Sequence, residues 1–275
     1  MNRRQLLIGA GAVAALAGLG GVSYSVLSEE ESSASKIRPL ALVYRGPAAC
    51  FGCSESVAAL LRSSPIGFRT KFCGPDEEVQ LSAGSLSEAV VYAQPGGDTL
   101  RSAWRLMRGY APVIRDFVNG GGHYLGFCLG AYLAADNPGF GLLSGIAVSR
   151  YIYRDGASVQ TKDDTVIHVR WRGRLRHMYF QDGNFFRLEP HAPALVLATY
   201  DTGEAAAIVT AYGAGQLGLV GPHPEADESW YTGTGLTNPD GVLFDLGHDL
   251  VESTIRDQSL LPPPGPTAIP VGAIR

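Results

Sequence analysis

The chain has 275 residues, 45% hydrophobic and 17% charged, with 35 glycines and a formal net charge of −4. That length and apolar content are ample for the core of one α/β domain. The mild negative balance leaves no general electrostatic footprint for nucleic acid.

The N-terminus reads as an address. Asn2-Arg3-Arg4-Gln5-Leu6-Leu7 is a twin-arginine pattern. An uncharged stretch rich in Ala, Gly, Leu and Val runs from Leu6 to Val26, followed by the polar spacer Ser28 to Ser35. This resembles a bacterial Tat signal, the route that exports folded proteins, with Ser32-Ser33-Ala34 as a small-residue cleavage site. The apolar stretch is long enough to read instead as a membrane anchor through Leu6–Val26. Either reading expects the domain outside the cytoplasm. The chain then divides into a leader over 1–36, a domain over 37–258 and a proline-rich mobile tail over 259–275.

Within the domain, Leu40–Tyr44 reads as a strand, followed by a helix capped by Ser54 and running to Ser63. Phe68–Phe72 and Val90–Gln94 are further strands, the latter running into the turn Pro95-Gly96-Gly97-Asp98. Ala111–Asn119 is a helix closed by Gly120. His123–Phe127 is a strand, and a helix starts at Leu129. From Val148 to Tyr212 the pattern changes to short β runs: Val166–Trp171, Arg176–Phe180, Ala194–Tyr200 and Ala205–Tyr212. A turn at Tyr212–Gln216 leads into a strand to Val220, and Gly241–Arg256 is a final helix. Arg170, Arg172, Arg174 and Arg176 would share one face if they lay on one strand, which reads as a solvated basic face.

Cys128 sits in Gly126-Phe127-Cys128-Leu129-Gly130, between the predicted strand and the predicted helix. This is the cysteine form of a nucleophile elbow, with glycines where strand and helix must pack closely. The helix N-terminus favours negative charge on the sulfur, and the Leu129 N–H is an oxyanion donor. The alternative is a buried structural thiol. Far downstream, Pro222 and Pro224 bracket His223 in an extended segment, so Glu225 faces the same way and orients the ring. His223 then takes the proton of Cys128. The turn at Gly96 and Gly97 offers a second oxyanion N–H, from Gly97. Gln181 and Asp182, between aromatic residues in Tyr179–Phe186, are either part of a hairpin with core phenylalanines or a loop facing the substrate.

In chain order the pieces are Val43-Tyr44-Arg45-Gly46-Pro47, Gln94-Pro95-Gly96-Gly97, Gly120 through Tyr132, and Gly221-Pro222-His223-Pro224-Glu225. Together they resemble the class I glutamine amidotransferase-like superfamily. The detail is more similar to the domain found at the N-terminus of biotin–protein ligases and in stand-alone bacterial proteins. The similarity spans about Pro39 to Asp257. It implies a flavodoxin-like three-layer α/β sandwich with a mostly parallel central sheet and an antiparallel β insertion, and a Cys128–His223–Glu225 triad. True glutaminases keep a glutamine two residues after the second elbow glycine. Here that position is Tyr132, which argues against free glutamine; Tyr132 either lines a substrate pocket or packs in the helix, and Gly96 is a further substrate-binding candidate.

Export changes the meaning of the other cysteines. With Cys128 assigned, Cys50, Cys53 and Cys73 remain. A Cys50–Cys53 disulfide is expected, with Cys53–Cys73 as the alternative. No metal site is expected, since no paired histidine accompanies the thiols. A thiol-redox protein built on Cys50 and Cys53 is a further reading, against which the pair lacks a thioredoxin-type βαβ context. The expected function is an exported cysteine hydrolase acting on a small-molecule or peptide-like amide, without cofactor or nucleic-acid partner. The alternative is a non-catalytic small-molecule-binding module on the same scaffold.

Overall fold

In the computed structural model, which describes residues 38–136 and 138–255, the apolar run Leu40–Tyr44 forms β1, buried along its whole length. In chain order there follow α1 (Cys53–Ser63), β2 (Arg69–Cys73), α2 (Ala83–Ser87), β3 (Val91–Gln94), α3 (Leu100–Met107), α4 (Ala111–Asn119), β4 (His123–Phe127) and α5 (Leu129–Ala134). Next come β5 (Ile146–Arg150), β6 (Thr165–Trp171), β7 (Arg174–Phe180), β8 (Asn184–Leu188), β9 (Ala194–Thr199), β10 (Ala205–Tyr212), β11 (Gly215–Val220), α6 (Glu228–Thr234) and α7 (Asp245–Ile255). Local chemistry sets several boundaries. Ser82 and Ser85 form a reciprocal capping box on α2. Thr99 caps α3, and Asp227 caps α6. Pro112 lies in the first turn of α4, where a missing N–H costs nothing.

The central sheet is mixed, with a parallel part β2-β1-β3-β4-β11. Antiparallel strands β10, β9, β6 and β7 continue it, and β5 and β8 branch from β10. Because strand side chains alternate, β1 feeds two cores. Ala41 and Val43 pack with Val57 and Leu60 of α1 and Leu250 and Val251 of α7. Leu42 and Tyr44 pack with Met107 of α3, Ile114 and Val118 of α4 and Leu133 of α5. Helices thus cover both faces of the parallel part, as parallel strands require. The parallel run also puts the carboxyl ends of β1, β3, β4 and β11 on one edge, where open α/β sheets bind ligands.

Several expectations are corrected. The leader, the anchor Leu6–Val26, Arg256 and the tail lie outside the described residues. Ser54 does not cap α1. It is buried inside the helix and donates to the Tyr44 carbonyl at 2.8 Å, while Gly52, with φ of 78°, holds the cap position. The four arginines do not share a strand. Arg170 lies one residue before the end of β6, Arg172 and Gly173 form the turn, and Arg174 and Arg176 belong to β7. Two of them make ion pairs: Arg172 with Asp249, and Arg176 with Asp240 and Asp245. Trp171 Nε1 also donates to Asp249 at 2.7 Å, so the β6–β7 hairpin is tied to α7. Tyr179–Phe186 is no hairpin, because β7 pairs with β6 while β8 pairs with β5 and β10. The final helix starts at Asp245, after Gly241 at φ of 79°. Finally, Cys50 and Cys53 do have a βαβ context, since β1, α1 and the parallel β2 form such a unit.

Candidate active site

Cys128 links β4 to α5 with φ of 47° and ψ of −102°, a strained conformation for any residue but glycine. The elbow is held from both sides. The Cys128 N–H donates to the Val220 carbonyl at 2.9 Å, and the Cys128 carbonyl accepts from Ala131 and Tyr132. Sterics explain the flanking glycines. A Cβ on Gly126 would come within 2.8 Å of the Gly130 carbonyl, and one on Gly130 within 2.0 Å of the Gln94 carbonyl oxygen. Helix α5 therefore lies directly on β3. Its first turn leaves the Leu129 N–H outside the intrahelical ladder.

The second element is the segment after β11. The His223 N–H donates to the Tyr179 carbonyl at 2.9 Å, and its ring lies beside Tyr179 and Trp230. The expected extended geometry ends at His223. Pro224 and Glu225 lie in a turn closed by the Ala226 N–H on the His223 carbonyl, a position that the fixed φ of proline favours. The turn still brings Glu225 to the ring, with Nδ1 of His223 2.8 Å from Oε1 of Glu225. Both side chains are buried, at 5% and 0% exposure. Burial alone would lower the His223 pKa. The Glu225 carboxylate and the Cys128 sulfur, with hydrogen bonds to both, override it and push it up to about 10.

The turn after β3 completes the edge. Its Gly96 carbonyl accepts from the Cys50 N–H at 3.0 Å, and Cys50 and Cys53 are joined by a disulfide. A Cβ on Gly96 would stand 3.0 Å from His223 Cε1 and 3.7 Å from each of the two sulfurs. A Cβ on Gly97 would come 2.4 Å from a methyl of Leu129. Both glycines thus permit close approach. Gln94 is wholly buried, accepting from the Tyr92 hydroxyl at 2.7 Å and donating to the Ala48 carbonyl. Cys73 remains a free buried thiol, its pKa pushed up to about 12 by burial and the nearby Glu77. Among the described residues no group of three or more His, Cys, Asp or Glu side chains could hold a metal ion.

A cavity of about 510 Å³ opens in front of the sulfur. Gly97, Cys128, Leu129, Tyr132, Gln181 and Asp182 line it. Cys128 Sγ lies 3.8 Å from the Gln181 carbonyl oxygen, so it is the backbone of Gln181 that faces the sulfur. Asp182 adopts φ of 49° and pairs with Arg150 at 3.1 Å. Burial raises its pKa against the pull of Arg150 and Lys162, and its Oδ1 has no hydrogen-bond partner. Tyr132 is held up in pKa mainly by burial, and its hydroxyl reaches toward the Asp182 carbonyl at 3.5 Å. His223, Glu225 and Gly96 do not line this cavity; they stand behind its wall. Sequence reasoning missed Arg150, Tyr153 and Lys162, which line the far side. The cluster Arg150-Tyr151-Ile152-Tyr153-Arg154 was the available signal, but it carries no motif.

Residues 41–148 match the family described as biotin-protein ligase, N terminal. No curated protein matches the chain. Among solved structures, a glutamine amidotransferase from Thermotoga maritima is similar with a TM-score of 0.54 at 15% identity, covering 80% of this chain and 99% of that one. A cytoplasmic protein from Salmonella typhimurium gives a TM-score of 0.46 at 11% identity, over 78% of this chain and 98% of that one. An exo-β-1,4-mannosidase from Opitutaceae bacterium strain TAV5 gives 0.45 at 16% identity, over 88% of this chain and only 40% of its own length. Residues 41–148 thus resemble the biotin-protein ligase N-terminal family, and the described residues take a glutamine amidotransferase-like fold.

Proposed function

We propose that this protein is a cysteine hydrolase that cleaves a small-molecule or peptide-like amide. With the thiol proton already held on His223, the Cys128 sulfur attacks the amide carbonyl, and the N–H groups of Gly97 and Leu129 hold the resulting oxyanion. The intermediate collapses by breaking the C–N bond, and His223 returns the proton to the leaving amine. Water then attacks the thioester through the same oxyanion site, giving a carboxylic acid and the free thiol. Glu225 fixes the ring tautomer and stabilises the imidazolium. Tyr132, Gln181 and Asp182 shape the substrate side, with Gly96 behind the cavity wall.

One observation carries this reading. A strained Cys128 faces a 510 Å³ cavity, with the buried His223–Glu225 pair behind it. The two cores on opposite faces of the sheet also support the flavodoxin-like three-layer arrangement. Export by the Tat route, or anchoring through Leu6–Val26, belongs to the same proposal and rests on the leader sequence.

The test is an amide-substrate screen with Cys128→Ser as control, alongside stoichiometric iodoacetamide labelling. Amide cleavage that the control abolishes, with Cys128 alkylated faster than free cysteine near neutral pH, is the expected result. A Cys128 as inert as a buried structural thiol, with no turnover, would leave the scaffold as a binding module.

A further inference from the structure

The disulfide stands where a redox-active pair would be built. It follows β1 and opens α1 in a parallel β1-α1-β2 unit. The two sulfurs differ in access. Cys50 is exposed, and Phe51 beside it is fully exposed, whereas Cys53 is 1% exposed as the first residue of α1. The pair is also linked to the histidine. The Cys50 N–H holds the Gly96 carbonyl, and a Cβ on Gly96 would meet the His223 ring and both sulfurs at once.

We propose that Cys50–Cys53 is a thiol–disulfide exchange site for dithiols, attacked at Cys50, whose redox state reaches His223 through Gly96. The incoming thiolate bonds to the Cys50 sulfur, and the Cys50–Cys53 bond breaks. Cys53 leaves as a thiolate at the N-terminus of an 11-residue helix, where the dipole stabilises it. The second thiolate of the dithiol then attacks the mixed disulfide at its own sulfur and releases Cys50. The dithiol is oxidised to a disulfide, the protein disulfide is reduced, and two protons pass to the protein thiols. Two unbonded sulfurs cannot keep a bonding separation. Either one moves beside Gly96, whose Cβ position both sulfurs share with the His223 ring. The coupling part rests on the hydrolase reading; the exchange part does not.

The experiment uses the full chain and dithiothreitol as the dithiol. After free thiols are blocked, native protein treated with dithiothreitol should release two new thiols, mapped to Cys50 and Cys53. With glutathione disulfide, Cys53→Ser should form its mixed disulfide at Cys50 at least about tenfold faster than Cys50→Ser forms one at Cys53. Iodoacetamide alkylation of Cys128 should change by about threefold or more between the oxidised protein and a Cys50→Ala/Cys53→Ala double variant. Reduction only in denaturant, equal exchange in the two single variants, or an unchanged Cys128 rate would each overturn the proposal. A Cys128 no more reactive than free cysteine in the oxidised protein sinks the hydrolase reading alone, because exchange at Cys50 and the change in rate are still measurable.

Discussion

Nδ1 of His223 lies 2.8 Å from Oε1 of Glu225, and almost no solvent reaches either group. With Nδ1 engaged, Nε2 is the ring nitrogen left for Cys128. His223→Ala should therefore slow Cys128 alkylation more than Glu225→Gln does. For substrate turnover Glu225→Gln should still cost on the order of 10⁴, as loss of the orienting acid does in the serine-protease template. Alkylation rates unaffected by both variants would remove the histidine from any role at the sulfur.

The same pair predicts a pH dependence of stability. His223 holds its proton more tightly folded, with a pKa pushed up to about 10, than unfolded, near 6.5. Its stabilising contribution is complete below about 6.5 and is lost as the pH rises through about 10. The denaturant midpoint of the wild type should fall over that window more steeply than that of His223→Gln. Equal slopes would mean that the folded ring is not proton-stabilised.

The elbow glycines give a stability test with an internal control. Gly130→Ala drives a Cβ to 2.0 Å from the Gln94 carbonyl oxygen, a backbone atom that cannot step aside. The expected loss is roughly 1–3 kcal/mol or more, read as a lower melting temperature. Gly109→Ala has open space around it and should be neutral or stabilising by about 0.4–1 kcal/mol. If both changes have the same effect, close packing of α5 on β3 is not what holds the elbow.

Tyr132 lines the cavity, and the resemblance to glutaminases implies a glutamine at its position. The domain should release negligible ammonia from L-glutamine in a coupled assay. Ready turnover that Cys128→Ala abolishes would show that the aromatic wall admits glutamine after all.

The leader makes its own prediction. Residues 1–40 fused to a reporter that functions only after export should lose signal when Arg3 and Arg4 become lysine. Undiminished export would leave a general anchor in place of the Tat route.

Much of the site is legible in the chain because the chemistry is local. Gly126 and Gly130 around Cys128 announce a tight strand-to-helix turn, since no other residue fits both close approaches. Pro222 and Pro224 announce a restrained, non-helical segment at His223, though not the turn that follows it. Continuous apolar runs announce β1, β3 and β4, because strands covered on both faces need no alternation. The Arg170–Arg176 run misleads for the opposite reason. Alternation says nothing of the turn at Arg172-Gly173 that folds the run back on itself.

What the tertiary structure alone decides is adjacency. The contacts of Gly96 with Cys50, Cys53 and His223 come from the parallel order of β1, β3, β4 and β11, which delivers four distant loops to one edge. The far wall of the cavity follows the same rule. Arg150 meets Asp182 because β5 pairs with β8 in antiparallel register, with Arg150 opposite Asn184. Local propensity acts over a few residues, whereas strand pairing is set by burying both faces of the whole sheet at once, and that choice is made only when the chain is folded.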